Sequence, residues 1–437
     1  MENLKEKARS LRESVSFKLI LLAVIALLML IPKGMLKSLI WEREQRRDET
    51  VEEIYQKWGN EQEITGPYIS IPYLVYKNEE DKDPDVHYAH FLPEELYIEG
   101  EMIPESRYRG IFSVITYQGK LELSGKFEGI DFSAWNIPGE NILWEKAAMN
   151  IGISDPRGVR NNFSMQVNDN NISSTPGLSN SLVARSGVSF PLGNVNDSIL
   201  NFSTYMVLNG SENLGFVPVG STTRVHVESS WNSPSFNGNY LPHDREITDD
   251  GFVANWKIFE LNRNFPGQWL GHKNIGTSMF GVELIKPVDH YQKSTRSIKY
   301  AILFVILTFL VFFFAEVFSK KRVHPIQYLL SGIALIIFFS LLMALSEHVD
   351  FNLSYLVASV AVVSLMTFFS HAIFRKKKIT LSVTGLLSVL YIFLFTVLQL
   401  ADYSLLIGNI GLFMVIGGVM YAATRVNWYG KVDRHVR

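Results

Sequence analysis

The C-terminal part of the chain alternates long apolar runs with short polar connectors. Five such runs lie between Tyr300 and Thr424, and each has roughly the 20 residues that an α-helix needs to cross the hydrocarbon core of a bilayer. The connectors between them are residues 320–322, 346–351, 375–378 and 401–404. This pattern predicts five membrane-spanning helices, and the short connectors require consecutive helices to be antiparallel neighbours.

An earlier apolar run, residues 19–31, adds a sixth span. Basic residues precede it, as they do in a secretory signal, but Pro32-Lys33-Gly34 follows where a signal peptide would need a cleavage site of small residues. We therefore predict an anchor helix that is not cleaved.

Lys and Arg residues are concentrated in alternate connectors. Residues 320–322 and 375–378 are basic, whereas residues 346–351 and 401–404 contain no Lys or Arg. Basic short loops stay in the cytoplasm, so the alternation predicts an orientation. The predicted order is a cytoplasmic N-terminus (1–16), an anchor helix (17–36), an extracytoplasmic domain (37–298), a five-helix bundle (299–424) and a basic cytoplasmic tail (425–437).

Composition limits the function and the environment of the chain. Its 437 residues are 47% hydrophobic and carry a net charge of only −2, which gives no electrostatic reason to expect a nucleic-acid partner. The absence of cysteine excludes disulfides, thiol chemistry, Fe–S clusters and Cys-ligated zinc. The extracytoplasmic domain must therefore be stabilised by its core.

The segment after the anchor begins with a helical pattern. Val51, Ile54, Tyr55 and Trp58 follow the i, i+3, i+4, i+7 spacing of one apolar face. This spacing predicts that the anchor helix continues outward and ends near Gly59. The apolar face docks either on its own domain or on a partner.

Beyond Gly66-Pro67 the pattern changes to short alternating runs that are typical of strands. The predicted strands are residues 68–76, 111–115, 120–127, 150–154, 163–167, 200–208, 222–230, 252–258 and 280–285. Predicted turns include residues 168–171, 209–211 and 237–239, and residues 168–181 are predicted to be a mobile loop. The predicted fold is therefore a polytopic α-helical membrane protein of six spans with a large β-rich, sandwich-like extracytoplasmic domain between spans 1 and 2. Its sheets are either packed together or arranged in tandem.

Motifs of known chemistry are missing from the sequence. It contains no Gly-x-Ser-x-Gly elbow, no His-Glu-x-x-His zinc motif and no Walker phosphate loop. His87 and His90 are three residues apart, so on a strand they face opposite sides and do not share a metal ion. No catalytic residue, metal site or cofactor is predicted.

Ionisable residues near the membrane are the candidate functional groups. Glu316 lies near the end of the run 300–318, where it either pairs with Lys320 or has a functional role. Four further residues lie in two connectors predicted to emerge on the same side, and we call them the mouth cluster: Glu347, His348, Asp350 and Asp402.

The mouth cluster has two interpretations. It either titrates with external pH or fastens the β-rich domain to the bundle, with Arg296 and Lys299 as the nearest candidate donors. In the last predicted helix, Gly408, Gly411 and Gly418 lie close to one face, which forms either an intramolecular seam or a dimer face.

Several long motifs resemble one family. They are Gly66-Pro67-Tyr68-Ile69-Ser70-Ile71-Pro72, Pro234-Ser235-Phe236-Asn237-Gly238, Thr295-Arg296-Ser297-Ile298-Lys299, Arg322-Val323-His324-Pro325-Ile326-Gln327-Tyr328, Leu398-Gln399-Leu400-Ala401-Asp402-Tyr403 and Asn427-Trp428-Tyr429. With these motifs the chain resembles the CreD family of bacterial inner-membrane proteins, called cell envelope integrity proteins, from the first anchor to the basic tail. Ala401 is a small departure, because an acidic residue is expected there.

The resemblance implies a role in envelope stress, with tolerance to colicins and responses to cell-wall damage, and no established reaction. We therefore expect a non-enzymatic inner-membrane protein that acts through its extracytoplasmic β-rich domain. Its expected partners are the lipid bilayer and envelope proteins, lipids or cell-wall material, and the oligomeric state stays open. The alternative is a transporter or ligand-binding sensor that uses the mouth cluster, while an enzyme acting on lipids or wall precursors lacks a catalytic constellation.

Overall fold

The computed structural model describes residues 15–77, 83–110, 112–194, 198–285, 290–319, 321–400 and 404–425. The chain divides into two compact units. The helical unit comprises Met1–Arg47 and Val288–Arg437, and the β-rich unit comprises Asp48–Pro287.

Within the described residues, six helices are long and apolar enough to cross a membrane, which confirms the predicted number of spans. The helices are α1 (Val15–Leu28), α2 (Leu30–Trp58), α3 (His290–Ser319), α4 (Pro325–Ser346), α5 (Phe351–Phe374), α6 (Lys377–Gln399) and α7 (Ser404–Thr424). The first span, Phe17–Trp58, includes both α1 and α2. The helix is interrupted at Met29 because Pro32 has no N–H to donate to the carbonyl of Leu28.

Capping residues define where the helices begin and end, so that the connectors between them can be short. His324 precedes α4, where its Nδ1 accepts a hydrogen bond from the Ile326 N–H at 3.4 Å. Asp350 precedes α5, and its carboxylate accepts a hydrogen bond from the Asn352 N–H at 2.8 Å. Arg375 closes α5 in the left-handed conformation, with φ of 50°.

Aromatic side chains join three helices of the helical unit. The ring of Phe338 in α4 lies 5.5 Å from Tyr355 in α5 and 4.8 Å from Tyr391 in α6. The Tyr355 hydroxyl donates a hydrogen bond to the Tyr391 carbonyl at 2.7 Å, so a polar group inside the bundle is satisfied.

The last helix, α7, is mostly exposed, as a helix in contact with lipid would be. A Cβ on Gly411 would collide with the ring of Phe393 in α6, which fits an intramolecular seam. Gly408 and Gly418 face open space in the described part of the chain. The predicted glycine face is therefore only partly used within the chain.

The β-rich unit contains the following strands in the described residues: β1 (Gln62–Val75), β2 (Asp85–Phe91), β3 (Glu95–Arg109), β4 (Phe112–Glu128), β5 (Ala148–Ile153), β6 (Ser164–Val167), β7 (Asn170–Ser173), β8 (Thr175–Pro176), β9 (Gly187–Pro191), β10 (Ile199–Ser211), β11 (Asn213–Val217), β12 (Thr222–Ser229), β13 (Pro234–Gly238), β14 (Asp244–Thr248), β15 (Gly251–Phe259), β16 (Gln268–Leu270) and β17 (Phe280–Leu284). A nine-stranded sheet has the order β13-β17-β11-β1-β5-β9-β8, with β2 beside β1 and β16 beside β2. An eight-stranded sheet has the order β14-β15-β12-β3-β4-β10-β6-β7.

The two sheets share one hydrophobic core, so they are packed together rather than arranged in tandem. Tyr68 and Phe280 come from the nine-stranded sheet, and Tyr117 and Trp256 come from the eight-stranded sheet. The rings of Trp256 and Phe280 lie 5.6 Å apart. Because the domain contains no cysteine, no disulfide can stabilise it, and burial of this aliphatic and aromatic core takes that role.

Each predicted strand overlaps an observed one, but several loop predictions were wrong in whole or in part. Asn237 and Gly238 of the predicted turn 237–239 lie in β13, where they pair with Gly281 and Phe280 of β17. Residues 209–211, predicted to be a turn, lie within β10, because they pair with Gln118, Tyr117 and Thr116 of β4. The chain turns instead at Glu212, with φ of 54°. Residues 168–181, predicted to be a mobile loop, contain β7 and β8, and β7 forms a hairpin with β6.

The apolar face at the end of α2 docks on the β-rich unit to which it belongs. The Tyr55 hydroxyl donates a hydrogen bond to Glu212 at 2.8 Å, and the Trp58 indole N–H donates to the Tyr117 carbonyl at 3.3 Å. The guanidinium of Arg107 lies 3.4 Å from the centre of the Trp58 ring, a cation–π contact. The first of the two predicted uses of this face is the one observed.

Candidate functional site

Glu316, in the last turn of α3, is a buried carboxylate with two partners from other helices. Its residue is only 5% exposed. The Tyr328 hydroxyl of α4 donates a hydrogen bond to one carboxylate oxygen at 2.9 Å, and the Lys18 ammonium of α1 donates to the other. The predicted partner Lys320 lies outside the described residues, so that pairing stays a prediction.

Helix direction explains why Lys18 reaches Glu316. Lys18 lies near the start of α1, Glu316 near the end of α3 and Tyr328 near the start of α4, so antiparallel helices bring all three to one end of the bundle. At the same end, the Lys376 ammonium donates a hydrogen bond to the Ser319 carbonyl at 3.4 Å. A carboxylate out of water is costly unless its charge is compensated, and here an ammonium and a hydroxyl compensate it.

Glu347 lies at the other end of α4 and is one member of the mouth cluster. Its carboxylate is 3.7 Å from the guanidinium of Arg43 in α2, and its side chain is 12% exposed. Arg43 was not among the predicted donors. Of the predicted donors, Arg296 is half-buried in α3. One turn before it in the same helix, the Lys293 ammonium lies 5.2 Å from the ring centre of Phe351.

The remaining residues of the mouth cluster are His348, Asp350 and Asp402. His348 and Asp350 are exposed, and Asp350 caps α5, which by itself explains an aspartate at this position. Asp402 lies outside the described residues. The convergence of the four residues therefore stays a prediction.

The β-rich unit contains a buried polar cluster that sequence reasoning missed. Ser70 on β1 is paired with His90 on β2, and the Ser70 hydroxyl lies 2.9 Å from His90 Nδ1. The Asn150 side chain donates a hydrogen bond to the same hydroxyl at 3.3 Å. Burial lowers the pKa of His90 to about 4, so its imidazole is neutral near pH 7.

This Ser–His–Asn cluster has the residue types of a nucleophilic site but lacks access. All three residues are completely buried, so a substrate has no path to the Ser70 hydroxyl in this conformation. The Asn150 oxygen accepts a hydrogen bond from the Ser179 N–H at 2.9 Å. The cluster therefore ties β1, β2 and β5 to the segment that carries Ser179.

Metal chemistry has no evident centre in the part of the chain that the structure describes. No group of three or more His, Cys, Asp or Glu residues there is arranged to hold an ion. Two ion pairs, Lys18–Glu316 and Arg43–Glu347, join different helices of the helical unit.

A bundle of six apolar spans with a two-sheet unit between the first and second spans defines a multi-pass membrane protein. The sequence model of the family described as Inner membrane protein CreD matches residues 14–429, so the chain belongs to the CreD family. It is 30% identical over 429 residues to the Inner membrane protein CreD of Escherichia coli (strain K12), covering 96% of this chain and 95% of that protein. The resemblance inferred from the motifs is confirmed.

Proposed function

We propose that this inner-membrane protein supports cell envelope integrity and the envelope-stress response without catalysing a reaction, and that it acts through its β-rich unit outside the cytoplasm. Both termini then lie in the cytoplasm. The unequal distribution of Lys and Arg over the two ends of the bundle is the observation that supports this orientation most strongly. The connectors at the Glu316 end are basic, and those at the Glu347 end contain neither Lys nor Arg.

The non-enzymatic part of the proposal is supported by the chemistry of the described residues. The Ser70 hydroxyl is sealed in the core, and the Glu316 carboxylate is occupied by Lys18 and Tyr328. Both arrangements stabilise the fold. A large folded unit held at the membrane surface is instead suited to binding envelope proteins, lipids or cell-wall material.

A deletion strain tests this function. We expect altered tolerance to detergents and cell-wall inhibitors, restored by the wild-type chain, with an unchanged profile of envelope metabolites. Loss of one defined product in the deletion strain would show that the protein is an enzyme.

One form of the alternative, a transporter that also uses the buried Glu316 carboxylate, is tested by a Glu316→Gln variant. A transporter that moves charge through Glu316 would lose its function in this variant at a normal protein level. In the proposed function the Gln side chain still accepts a hydrogen bond from Tyr328, and stress tolerance follows protein level.

A further inference from the structure

A cleft of about 710 Å³ opens on the β-rich unit beside β1 and β5. Thr65 and Ile153 contribute to its floor, and its sides are lined by residues 181–186 and by His272, Asn274 and Gly276. Its volume lies in the range of small-molecule sites, roughly 300–1,000 Å³. The mouth cluster and Glu316 take no part in it.

The wall formed by residues 181–186 is held in place by hydrogen bonds. The Ser186 hydroxyl donates to the Ile153 carbonyl at 2.7 Å, and the Leu182 N–H donates to the Asn180 side chain at 3.1 Å. A Cβ on Gly152 would lie 2.7 Å from the Ala184 Cβ, so this wall packs closely on β5. A preformed wall reduces the entropy cost of binding.

Glu63 lines the cleft as a half-buried carboxylate. Burial raises the pKa of the Glu63 carboxyl group above its usual value. Among the described residues its side chain has no hydrogen-bond or ion-pair partner, although its backbone N–H donates to Ser154 at 2.8 Å. A partly desolvated carboxylate without a counter-ion is a receptor for an ammonium group.

The rest of the lining complements an anion and an aliphatic group. Arg185 and His272 are exposed at the cleft, and neither has an ion-pair partner in the described part of the chain. A guanidinium binds a carboxylate through two parallel hydrogen bonds. Leu182 and Val183 are half-buried and offer apolar surface between polar groups.

We propose that this cleft is a binding site for short peptides with a free amino terminus, with the ligand ammonium on Glu63, its carboxylate on Arg185 and an aliphatic side chain against Val183. The site goes beyond the proposed function, which names no small-molecule ligand. Peptide binding is measured on the purified protein, so its outcome is independent of the stress phenotype.

The test uses the full-length protein in detergent and the dipeptide alanyl-leucine, with binding measured by calorimetry and by saturation-transfer NMR. Two matched probes remove one charge each: N-acetyl-alanyl-leucine and alanyl-leucinamide. We expect either modification to weaken binding by about tenfold or more, the usual loss for one charge-assisted hydrogen bond. Wild-type protein that does not bind alanyl-leucine at millimolar concentration overturns the proposal.

Charge-removing variants assign the two ends of the ligand. In Glu63→Gln the dipeptide should bind about tenfold more weakly, and acetylation should have no further effect. In Arg185→Gln the dipeptide should likewise bind about tenfold more weakly, and alanyl-leucinamide should bind no more weakly than the dipeptide. Glu122→Gln, an exposed carboxylate on the other sheet, is the control and should bind like wild type. Equal sensitivity to acetylation in wild type and Glu63→Gln would contradict the assignment.

Val183→Trp blocks the cleft without changing any charge, and it keeps the proposal testable if Glu63→Gln does not fold. The variant should lose dipeptide binding while it still unfolds in one cooperative thermal transition, which shows that it is folded. Undiminished binding in folded Val183→Trp would place the ligand elsewhere.

Discussion

Glu316 shows what can and cannot be read from the sequence at the residue scale. Its position near the end of a span was evident from the sequence. Its partner Lys18 was not, because it is 298 positions away and helical spacing reveals only neighbours three or four residues apart. Arg43 near Glu347 was missed for the same reason. Tertiary packing, which a single sequence does not display, selects both pairs.

The Lys18–Glu316 pair should be strongly coupled. Lys18→Met leaves the carboxylate without its ammonium and should destabilise the protein by about 2 kcal/mol, since Lys18 is partly exposed. The double variant Lys18→Met/Glu316→Gln removes both charges and keeps an acceptor for Tyr328, so it should recover most of this loss. Thermal unfolding in detergent measures the stability of the single and the double variant, and Lys37→Met, a change at an exposed lysine, is the control. Additive losses would show that the pair is not coupled.

His90 should make the stability of the β-rich unit depend on pH. Its pKa is about 4 in the folded protein and about 6.5 when unfolded, so the unfolded state binds the extra proton between these values. Stability should therefore fall as pH decreases from about 6.5 to about 4, by on the order of 3 kcal/mol. His90→Gln should lack this component of the pH dependence in urea unfolding followed by tryptophan fluorescence.

His87→Gln is the matched control for this pH experiment, because His87 is exposed three residues earlier on the same strand. It should unfold with the wild-type pH dependence. A pH dependence as steep in His90→Gln as in the wild type would refute the role of His90.

At the scale of elements, the strongest periodic patterns were the most informative. The apolar runs predicted every span, and alternation predicted the strands of high β-propensity. The sequence pattern did not reveal β3, which contains Glu-Gly-Glu and Pro104, because its long pairing with β4 supplies what local propensity lacks. Residues 209–211 have turn-forming types but extend β10 because β4 pairs with them. Register, unlike periodicity, is a tertiary property.

Trp58 should fasten the end of α2 to the β-rich unit. Trp58→Ala removes the indole ring that contacts Arg107 and Arg160, together with its hydrogen bond to Tyr117. We expect a loss of about 2 kcal/mol, less than for a fully buried tryptophan, and faster amide hydrogen exchange over residues 48–58. Gln56→Ala, an exposed change in the same helix, should leave the exchange unchanged. Unaltered exchange in Trp58→Ala would mean that other contacts hold the helix.

At the scale of the whole molecule, the proposed function depends on the orientation of the protein in the membrane. The order of the spans and the insertion of a β-rich unit between the first and second were predicted from the sequence and are observed. The orientation is predicted from charge alone. The packing inside the bundle is the same whichever way the protein is inserted. The proposed function requires the β-rich unit to face the envelope.

Cysteine labelling tests this claim most directly, because the natural chain has no cysteine and therefore no background. Three exposed positions are changed singly: Leu261→Cys on the β-rich unit, His348→Cys at one end of the bundle and Lys377→Cys at the other. In intact spheroplasts, a membrane-impermeant maleimide should label Leu261→Cys and His348→Cys, and Lys377→Cys only after lysis. Labelling of Lys377→Cys in intact spheroplasts, with Leu261→Cys protected until lysis, would place the β-rich unit in the cytoplasm and contradict the account.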